Sequence, residues 1–112
     1  MIVSKKIWAL VFERDNGFCR YCGTDLLGSV SAFCAATVDH LHSRAAGGSD
    51  DPSNLVLACT GCNTMLSRAK HLRTLEERKA FLDRQITKGV PWYNELRVKL
   101  RPVKSATPGG QT

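Results

Sequence analysis

Two Cys-x-x-Cys pairs constrain the fold of this chain more than any other feature of its sequence. The first pair is Cys19 and Cys22, and the second is Cys59 and Cys62. Two intervening residues let both sulfurs point at one ion from a tight turn, and two such pairs complete a closed tetrahedral zinc site. A closed site supports folding and leaves no position for a substrate. We therefore predict a structural zinc ion; redox-active pairs or merely buried thiols are the alternatives.

The fifth cysteine and the N-terminal segment complete what the sequence indicates about thiols and cellular compartment. Cys34 stands outside both pairs, and we expect it to be a small buried hydrophobic residue. The N-terminus lacks the long apolar region and cleavage site of a signal peptide, and no stretch approaches the ~18 apolar residues that a membrane span needs. We therefore expect an intracellular, cytoplasmic protein without membrane association, in which thiols stay reduced and available for metal.

Length and charge narrow the classes of function. A chain of 112 residues is long enough for one domain with a modest core, and such a chain gains stability from a metal. Sixteen lysines and arginines against ten acidic residues give a formal charge of +6. This balance suits a polyanionic partner, most commonly nucleic acid, although charge alone does not distinguish it from any soluble basic protein.

The N-terminal half of the sequence predicts one helix followed by short strands. Ser4 can cap a helix that runs to about Asp15. The segment 24–34 is mixed in composition and is expected to form a loop or a weak hairpin. Residues 36–40 are expected to be a strand because Thr37 and Val38 are β-branched, and the short apolar run 55–57 is expected to be a second strand. A stretch rich in turn residues separates them.

The C-terminal half is predicted to be largely helical. One helix should extend from residue 63 to about 72, and another should extend over 75–88. Pro91 should prevent continuation of the second helix, because proline removes a hydrogen-bond donor and clashes with the preceding turn. Residues 105–112 are small and polar and are expected to be a disordered tail, which leaves 1–104 as a single domain.

Four polar residues between and beside the cysteine pairs suit metal-assisted phosphodiester hydrolysis. Asp39 and His40 are adjacent, Asn54 follows 14 residues after His40, and Asn63 comes directly after the last cysteine. Carboxylate and amide oxygens suit a hard ion such as Mg²⁺, and a neutral imidazole can take a proton from water near pH 7. Adjacent strand residues point to opposite faces, so Asp39 and His40 share a site only if the strand ends or distorts there.

The run from Val11 through Ser67 resembles the HNH endonuclease family, in the subgroup that carries a four-cysteine zinc site. The matching stretches are Arg14 to Gly23, Thr37 to Leu41, Gly47-Gly48, Asn54 to Cys59 and Gly61 to Asn63. The family's fold is the ββα-metal motif, a two-stranded antiparallel hairpin followed by a helix around one metal ion. The resemblance therefore implies an α+β, zinc-stapled domain with a motif core at 11–67, flanked by N- and C-terminal helices.

The resemblance also implies a role for each polar residue. Asp39 and Asn63 would hold one catalytic Mg²⁺ or Mn²⁺ ion, and His40 would be the general base that activates water. Asn54 would tie down the hairpin loop and help to orient His40. Asn63 stands where the family name has a second histidine, and its amide oxygen suits Mg²⁺ or Mn²⁺ better than Zn²⁺.

Substrate and partners follow from the same resemblance. DNA is expected in preference to RNA, with products that carry a 5′ phosphate and a 3′ hydroxyl, and the chain is expected to be bacterial or phage-encoded. Arg44, Arg68 and Lys70 flank the proposed centre and are candidates for substrate phosphate contacts, although each also fits a solvated charge. A protein partner such as a phage terminase is a further hypothesis, and packaging, intron homing and restriction all stay open as roles.

Two other functions compete with the endonuclease. A non-cleaving, zinc-dependent nucleic-acid-binding module would need a degraded metal site, whereas the sequence retains all four of Asp39, His40, Asn54 and Asn63. A zinc-dependent protein-interaction domain would explain the cysteines, but it would explain neither the Asp39–His40 pair nor the positive charge.

Overall fold

The structure is a computed structural model that describes residues 3–101. The helices and strands are, in chain order, α1 (Lys5–Arg14), α2 (Val30–Cys34), β1 (Ala36–His40), β2 (Leu55–Cys59), α3 (Thr60–Met65) and α4 (Leu75–Leu100). The chain divides between Leu82 and Asp83 into two compact units, and the described part of the second is the C-terminal portion of α4. The expected tail at 105–112 lies outside the described residues, and the single domain over 1–104 stays a prediction.

The two strands and the helix after them form the centre of the first unit. Strands β1 and β2 pair antiparallel, with Ala36 opposite Cys59 and His40 opposite Leu55, and α3 begins directly after β2. This order confirms the predicted α+β fold with a ββα arrangement. The side chains that are most fully buried around it are Val11, Leu26, Leu55, Leu57, Cys62 and Leu82.

Helix α1 has the capping residue and the stop signal that its sequence predicts. Ser4 Oγ accepts a hydrogen bond of 3.2 Å from the Ile7 amide, which satisfies one of the free donors in the first turn. Beyond the helix, Asn16 and Gly17 have φ values of 54° and 73°, which these two residue types tolerate best. The buried side chain of Val11 packs this helix into the core.

Asp15, which follows α1, forms hydrogen bonds along the edge of β2 that faces away from β1. Its Oδ2 accepts a hydrogen bond of 2.9 Å from the Leu57 amide, while Arg14 and Arg20 donate to its carboxylate at 2.8 Å. The Leu57 carbonyl in turn accepts a 2.8 Å bond from the Arg20 amide. Both outward-facing backbone groups of Leu57 are therefore paired, so this position offers no hydrogen bonds to another strand.

Residues 30–34 form a short helix where a loop or weak hairpin was expected, so that prediction is wrong for these five residues. Ser29 supplies the missing signal, because its side chain accepts a 3.0 Å hydrogen bond from the Ala32 amide and caps α2. Cys34 ends this helix and is exposed, contrary to the expectation that it is buried.

The helix after the second cysteine pair begins and ends earlier than predicted. It starts at Thr60 because Cys59 acts as its cap, with Cys59 Sγ accepting a 3.4 Å bond from the Cys62 amide. It ends at Met65, and a short 3₁₀ turn over Leu66–Arg68 follows it. Cysteine is not among the usual capping residues, so sequence pattern alone does not mark this start.

Helix α4 is longer than predicted, because it continues through Pro91 to Leu100. The prediction that it stops at residue 88 is wrong. A proline removes one hydrogen-bond donor and disturbs the turn before it, but it does not prevent the following residues from being helical. Glu95, Leu96 and Arg97, which follow in α4, are strong helix formers.

The Asp15 contacts make a prediction about stability. Burial raises the pKa of Asp15, but the bonds from Arg14, Leu57 and Arg20 outweigh burial and hold the pKa below its ordinary value. We expect Asp15→Asn to lower the free energy of unfolding by about 1–3 kcal/mol, because buried hydrogen bonds to a charged group are weakened. Urea unfolding of the zinc-loaded protein measures this difference, and Asp83→Asn, at an exposed helix position, is the control.

The pH dependence of that difference follows from the lowered pKa. The contribution of Asp15 is complete above its unfolded-state pKa and is lost as the pH falls through the lower folded-state value. The gap between wild type and Asp15→Asn should therefore narrow in acid. Equal stability of the two proteins at neutral pH would contradict the proposed anchoring role.

Candidate functional site

The four cysteines of the two pairs lie in one cluster. Their sulfur atoms are all within 4.8 Å of one another, and Cys22 Sγ and Cys59 Sγ are 3.8 Å apart. Zinc–sulfur bonds of about 2.3 Å in a tetrahedron require sulfurs about 3.8 Å apart. Cys19, Cys22, Cys59 and Cys62 are therefore positioned to bind a metal, in agreement with the predicted structural zinc.

Electrostatics in the cluster also favour a bound cation. The hydrogen bond between Cys62 and Cys19 lowers the pKa of Cys19 to about 4, and the same contact raises the pKa of Cys62. Burial, followed by the charge of neighbouring thiolates, raises the pKa of Cys59. Thiolates this close repel one another, so all four can ionise together only if a cation neutralises them.

A cavity of about 290 Å³ opens beside the end of β1, within the first unit. Asp39, His40 and Asn63 all line it, so the fold brings three predicted site residues together. Strand β1 ends at His40, which is the condition under which adjacent residues can share one site. Arg78, a residue of α4 that sequence reasoning did not select, also lines this cavity.

Asp39 is held by two donors on one of its oxygens. Its Oδ2 accepts bonds from Tyr21 Oη at 2.6 Å and Arg78 Nη2 at 2.7 Å, and Arg78 Nε donates to Tyr21 Oη at 2.9 Å. Burial, reinforced by the Asp39 charge, raises the pKa of Tyr21, so the phenol keeps its proton and donates it. Among the described residues, none donates a hydrogen bond to Asp39 Oδ1.

His40 forms a pair with an acid of the loop between the strands. Its Nε2 lies 2.8 Å from Asp50 Oδ1, and Arg44 Nε lies 3.6 Å from the same oxygen. The bond to His40 and the nearby Arg44 charge lower the pKa of Asp50. Asp50 is therefore a carboxylate that can only accept, so in the neutral form of the imidazole Nε2 carries the proton and Nδ1 carries the lone pair. Asp50 was missed from sequence, where Asp51 beside it looks equivalent.

A threonine determines which way the Asn63 amide points. The Thr37 hydroxyl donates its only hydrogen to the Ala58 carbonyl at 3.0 Å, and Asn63 Nδ2 lies 3.3 Å from Thr37 Oγ1. Since that hydroxyl hydrogen is already used, Thr37 can only accept from Asn63, and the amide must present Nδ2 to it. The Asn63 Oδ1 atom is thus turned away from Thr37 and accepts no hydrogen bond from the described residues.

Asn54 binds the backbone at both ends of the loop between the strands. Its Oδ1 accepts a 2.9 Å bond from the His42 amide, and its Nδ2 donates to the carbonyls of His42 at 3.0 Å and Ser49 at 2.8 Å. Asn54 is not among the residues that line the cavity. The loop that it ties carries Asp50, so its effect on His40 stays a prediction and would act through the loop.

Residues 19–69 match the family model described as HNH endonuclease. This chain contains an HNH endonuclease domain. The matched segment spans both cysteine pairs, both strands and α3, and the four-cysteine cluster is consistent with the zinc subgroup. A search of curated proteins finds no match to the chain. An HNH domain indicates a nuclease or a related function in nucleic-acid binding.

The basic residues predicted to contact substrate separate into two groups around the HNH domain's cavity. Arg44 and Lys70 line it, whereas Arg68 does not. The positive charge of Arg44 and Lys70 at this cavity, like the net charge of the chain, favours a polyanion. Among residues 3–101, no helix is long and apolar enough to cross a membrane.

The geometry of the cysteine cluster predicts that the HNH domain needs bound zinc for its stability. We expect one zinc ion per chain by elemental analysis, because the four sulfurs complete a tetrahedral site. Cys62→Ser should lose that zinc and unfold at a much lower temperature, since structural zinc contributes about 10–16 kcal/mol of binding free energy in small domains. Cys34→Ser is the matched control, because Cys34 is exposed and lies outside the cluster. A zinc-free wild type with an unchanged melting temperature would contradict this assignment.

Proposed function

We propose that this HNH domain is a metal-dependent endonuclease that hydrolyses phosphodiester bonds of DNA. The observation that carries the proposal is the cavity that Asp39, His40 and Asn63 line together. A proton acceptor and two hard oxygen donors at one opening are the groups that hydrolysis of a phosphodiester requires. Preference for DNA over RNA follows from the family resemblance.

His40 is the general base in this proposal. Asp50 holds the protonated Nε2, so the free Nδ1 is the atom that takes a proton from the attacking water. The imidazolium that forms is stabilised by the Asp50 carboxylate, which also fixes the orientation of the ring. Asp50 is charged at neutral pH, as an aspartate ordinarily is, and the bond from His40 lowers its pKa further.

Asp39 and Asn63 are the proposed ligands of a catalytic divalent ion. Each has one oxygen that accepts no hydrogen bond from the described residues, while its other polar atom is held in place. This donor set fits Mg²⁺ or Mn²⁺, which prefer oxygen ligands, better than Zn²⁺. Bound there, the ion would stabilise the negative charge that develops on the phosphate.

The residues around this centre are proposed to place the substrate. Arg44 and Lys70, at the cavity, would contact phosphate oxygens, and such contacts position a strand without reading its sequence. Asn54 would keep the loop between the strands in the conformation that brings Asp50 to His40. Arg68 lies outside the cavity lining and would at most contact a flanking phosphate.

Cleavage of supercoiled plasmid in Mg²⁺, Mn²⁺ or EDTA tests the proposed activity. We expect nicking or linearisation by wild type in either ion, no cleavage in EDTA, and a loss of about 10²–10⁴-fold in His40→Ala, as for removal of a general base. The control variant is His71→Ala, because His71 is exposed and does not line the cavity. Zinc content is checked in every preparation.

The same assay separates the competing functions. Equal cleavage by wild type and His40→Ala would point to a contaminant or another base and would contradict the proposal. No cleavage combined with retained DNA binding in low salt would favour a non-cleaving module. Failure to bind DNA or RNA would favour a zinc-dependent protein-interaction domain.

The contact between Asp50 and His40 predicts a separate effect on the cleavage rate. We expect Asp50→Asn to reduce the cleavage rate by about 10- to 100-fold or more, because a loss of this size follows when the partner that orients a metal-ligating histidine is changed. Asp51→Asn is the matched control, because Asp51 accepts its hydrogen bonds from Ser53 and, among the described residues, the acid bonded to His40 is Asp50. Rates at saturating metal would measure the difference, and equal rates for the two variants would show that Asp50 does not orient the base.

A further inference from the structure

We infer that Tyr21 and Arg78 are positioning residues that hold Asp39 so that its Oδ1 is presented to a divalent cation. This inference rests on the proposed function, because it takes Asp39 as a metal ligand. Arg78 lies on α4, outside the matched segment 19–69, so the family match does not include it.

The three side chains form a closed triangle of hydrogen bonds. Tyr21 and Arg78 both donate to Asp39 Oδ2, and Arg78 also donates to Tyr21, over distances of 2.6–2.9 Å. All three are buried, with 4–8% of their surface exposed. The terminal torsion of an aspartate is broad when nothing restrains it, whereas two donors on one oxygen fix the carboxylate plane. Oδ1 is then the oxygen left for a ligand.

Both donors are themselves held by the fold. Tyr21 lies between Cys19 and Cys22, so the cysteine cluster fixes its backbone. Arg78 Nη1 donates to the Leu72 carbonyl at 2.8 Å, and its guanidinium lies 5.7 Å from the centre of the Tyr21 ring. Two parts of the fold therefore hold the Asp39 carboxylate: the segment between Cys19 and Cys22, and the first turns of α4.

Replacement of Arg78 should change cation affinity in opposite directions, depending on whether Arg78 acts through its charge or by positioning Asp39. A guanidinium beside Asp39 offsets its negative charge, so if Arg78 acted only through charge, its removal would strengthen cation binding at Oδ1. If Arg78 positions the carboxylate, its replacement weakens cation binding. Tyr21→Phe also distinguishes the charge effect from the positioning effect, because it removes a hydrogen bond to Asp39 without changing any charge.

The test uses the zinc-loaded full chain and Mn²⁺ as the probe. Mn²⁺ affinity is measured by electron paramagnetic resonance without nucleic acid, and the fraction lost in Asp39→Asn defines the site. We expect Tyr21→Phe and Arg78→Lys each to weaken that affinity about tenfold or more, since lysine cannot make the forked bonds of arginine. Zinc content should not change, and excess Mn²⁺ should restore much of the plasmid cleavage in both variants.

The second half of α4 supplies a matched control pair. Arg97 lies over the ring of Tyr93 at 6.0 Å, but both are exposed and remote from Asp39 in sequence. Tyr93→Phe and Arg97→Lys should therefore leave Mn²⁺ affinity unchanged. Unchanged affinity in either Tyr21→Phe or Arg78→Lys, or tighter binding in Arg78→Met, would overturn the inference. If wild type bound no Mn²⁺ that depends on Asp39, the proposed metal site itself would be wrong.

Discussion

The four-cysteine cluster is the constraint on which the rest of the HNH domain depends. It joins the segment after α1 to the junction between β2 and α3, in a domain whose core over residues 3–101 contains fourteen buried hydrophobic residues. A core of this size gains much of its stability from a bound metal. Tyr21 precedes Cys22 and Asn63 follows Cys62, so the cluster that stabilises the fold also carries residues of the candidate site.

Local sequence signals predicted the parts of the fold that local interactions determine. The strand at 36–40 and the capped first helix are confirmed, because β-branched residues, helix caps and turn residues act over a few positions. The helix over 30–34 was missed, since five residues show no period and only Ser29 marks its start. Pro91 was given too much weight, because proline weakens one turn without fixing where a helix ends.

Contacts between distant residues limited the prediction of the site. Asp39, His40 and Asn63 were named from residue type, spacing and resemblance, and they do share a cavity. Arg78 lies 39 positions from Asp39, and other arginines of the same region look equivalent in the sequence. Only the packing of α4 selects one of them, just as only the course of the loop selects Asp50 for His40.

Both acids near the cavity are paired with arginine, and this has a consequence for the proposed reaction. Asp39 contacts Arg78, and Asp50 lies near Arg44. A carboxylate whose charge is already offset attracts a divalent cation less strongly than a free one does. In the proposed mechanism, the phosphate of the substrate would add negative charge beside the ion, so the ion and the nucleic acid would favour each other's binding by the same factor. Such a site would therefore bind its catalytic ion without DNA, and more tightly when DNA is in place.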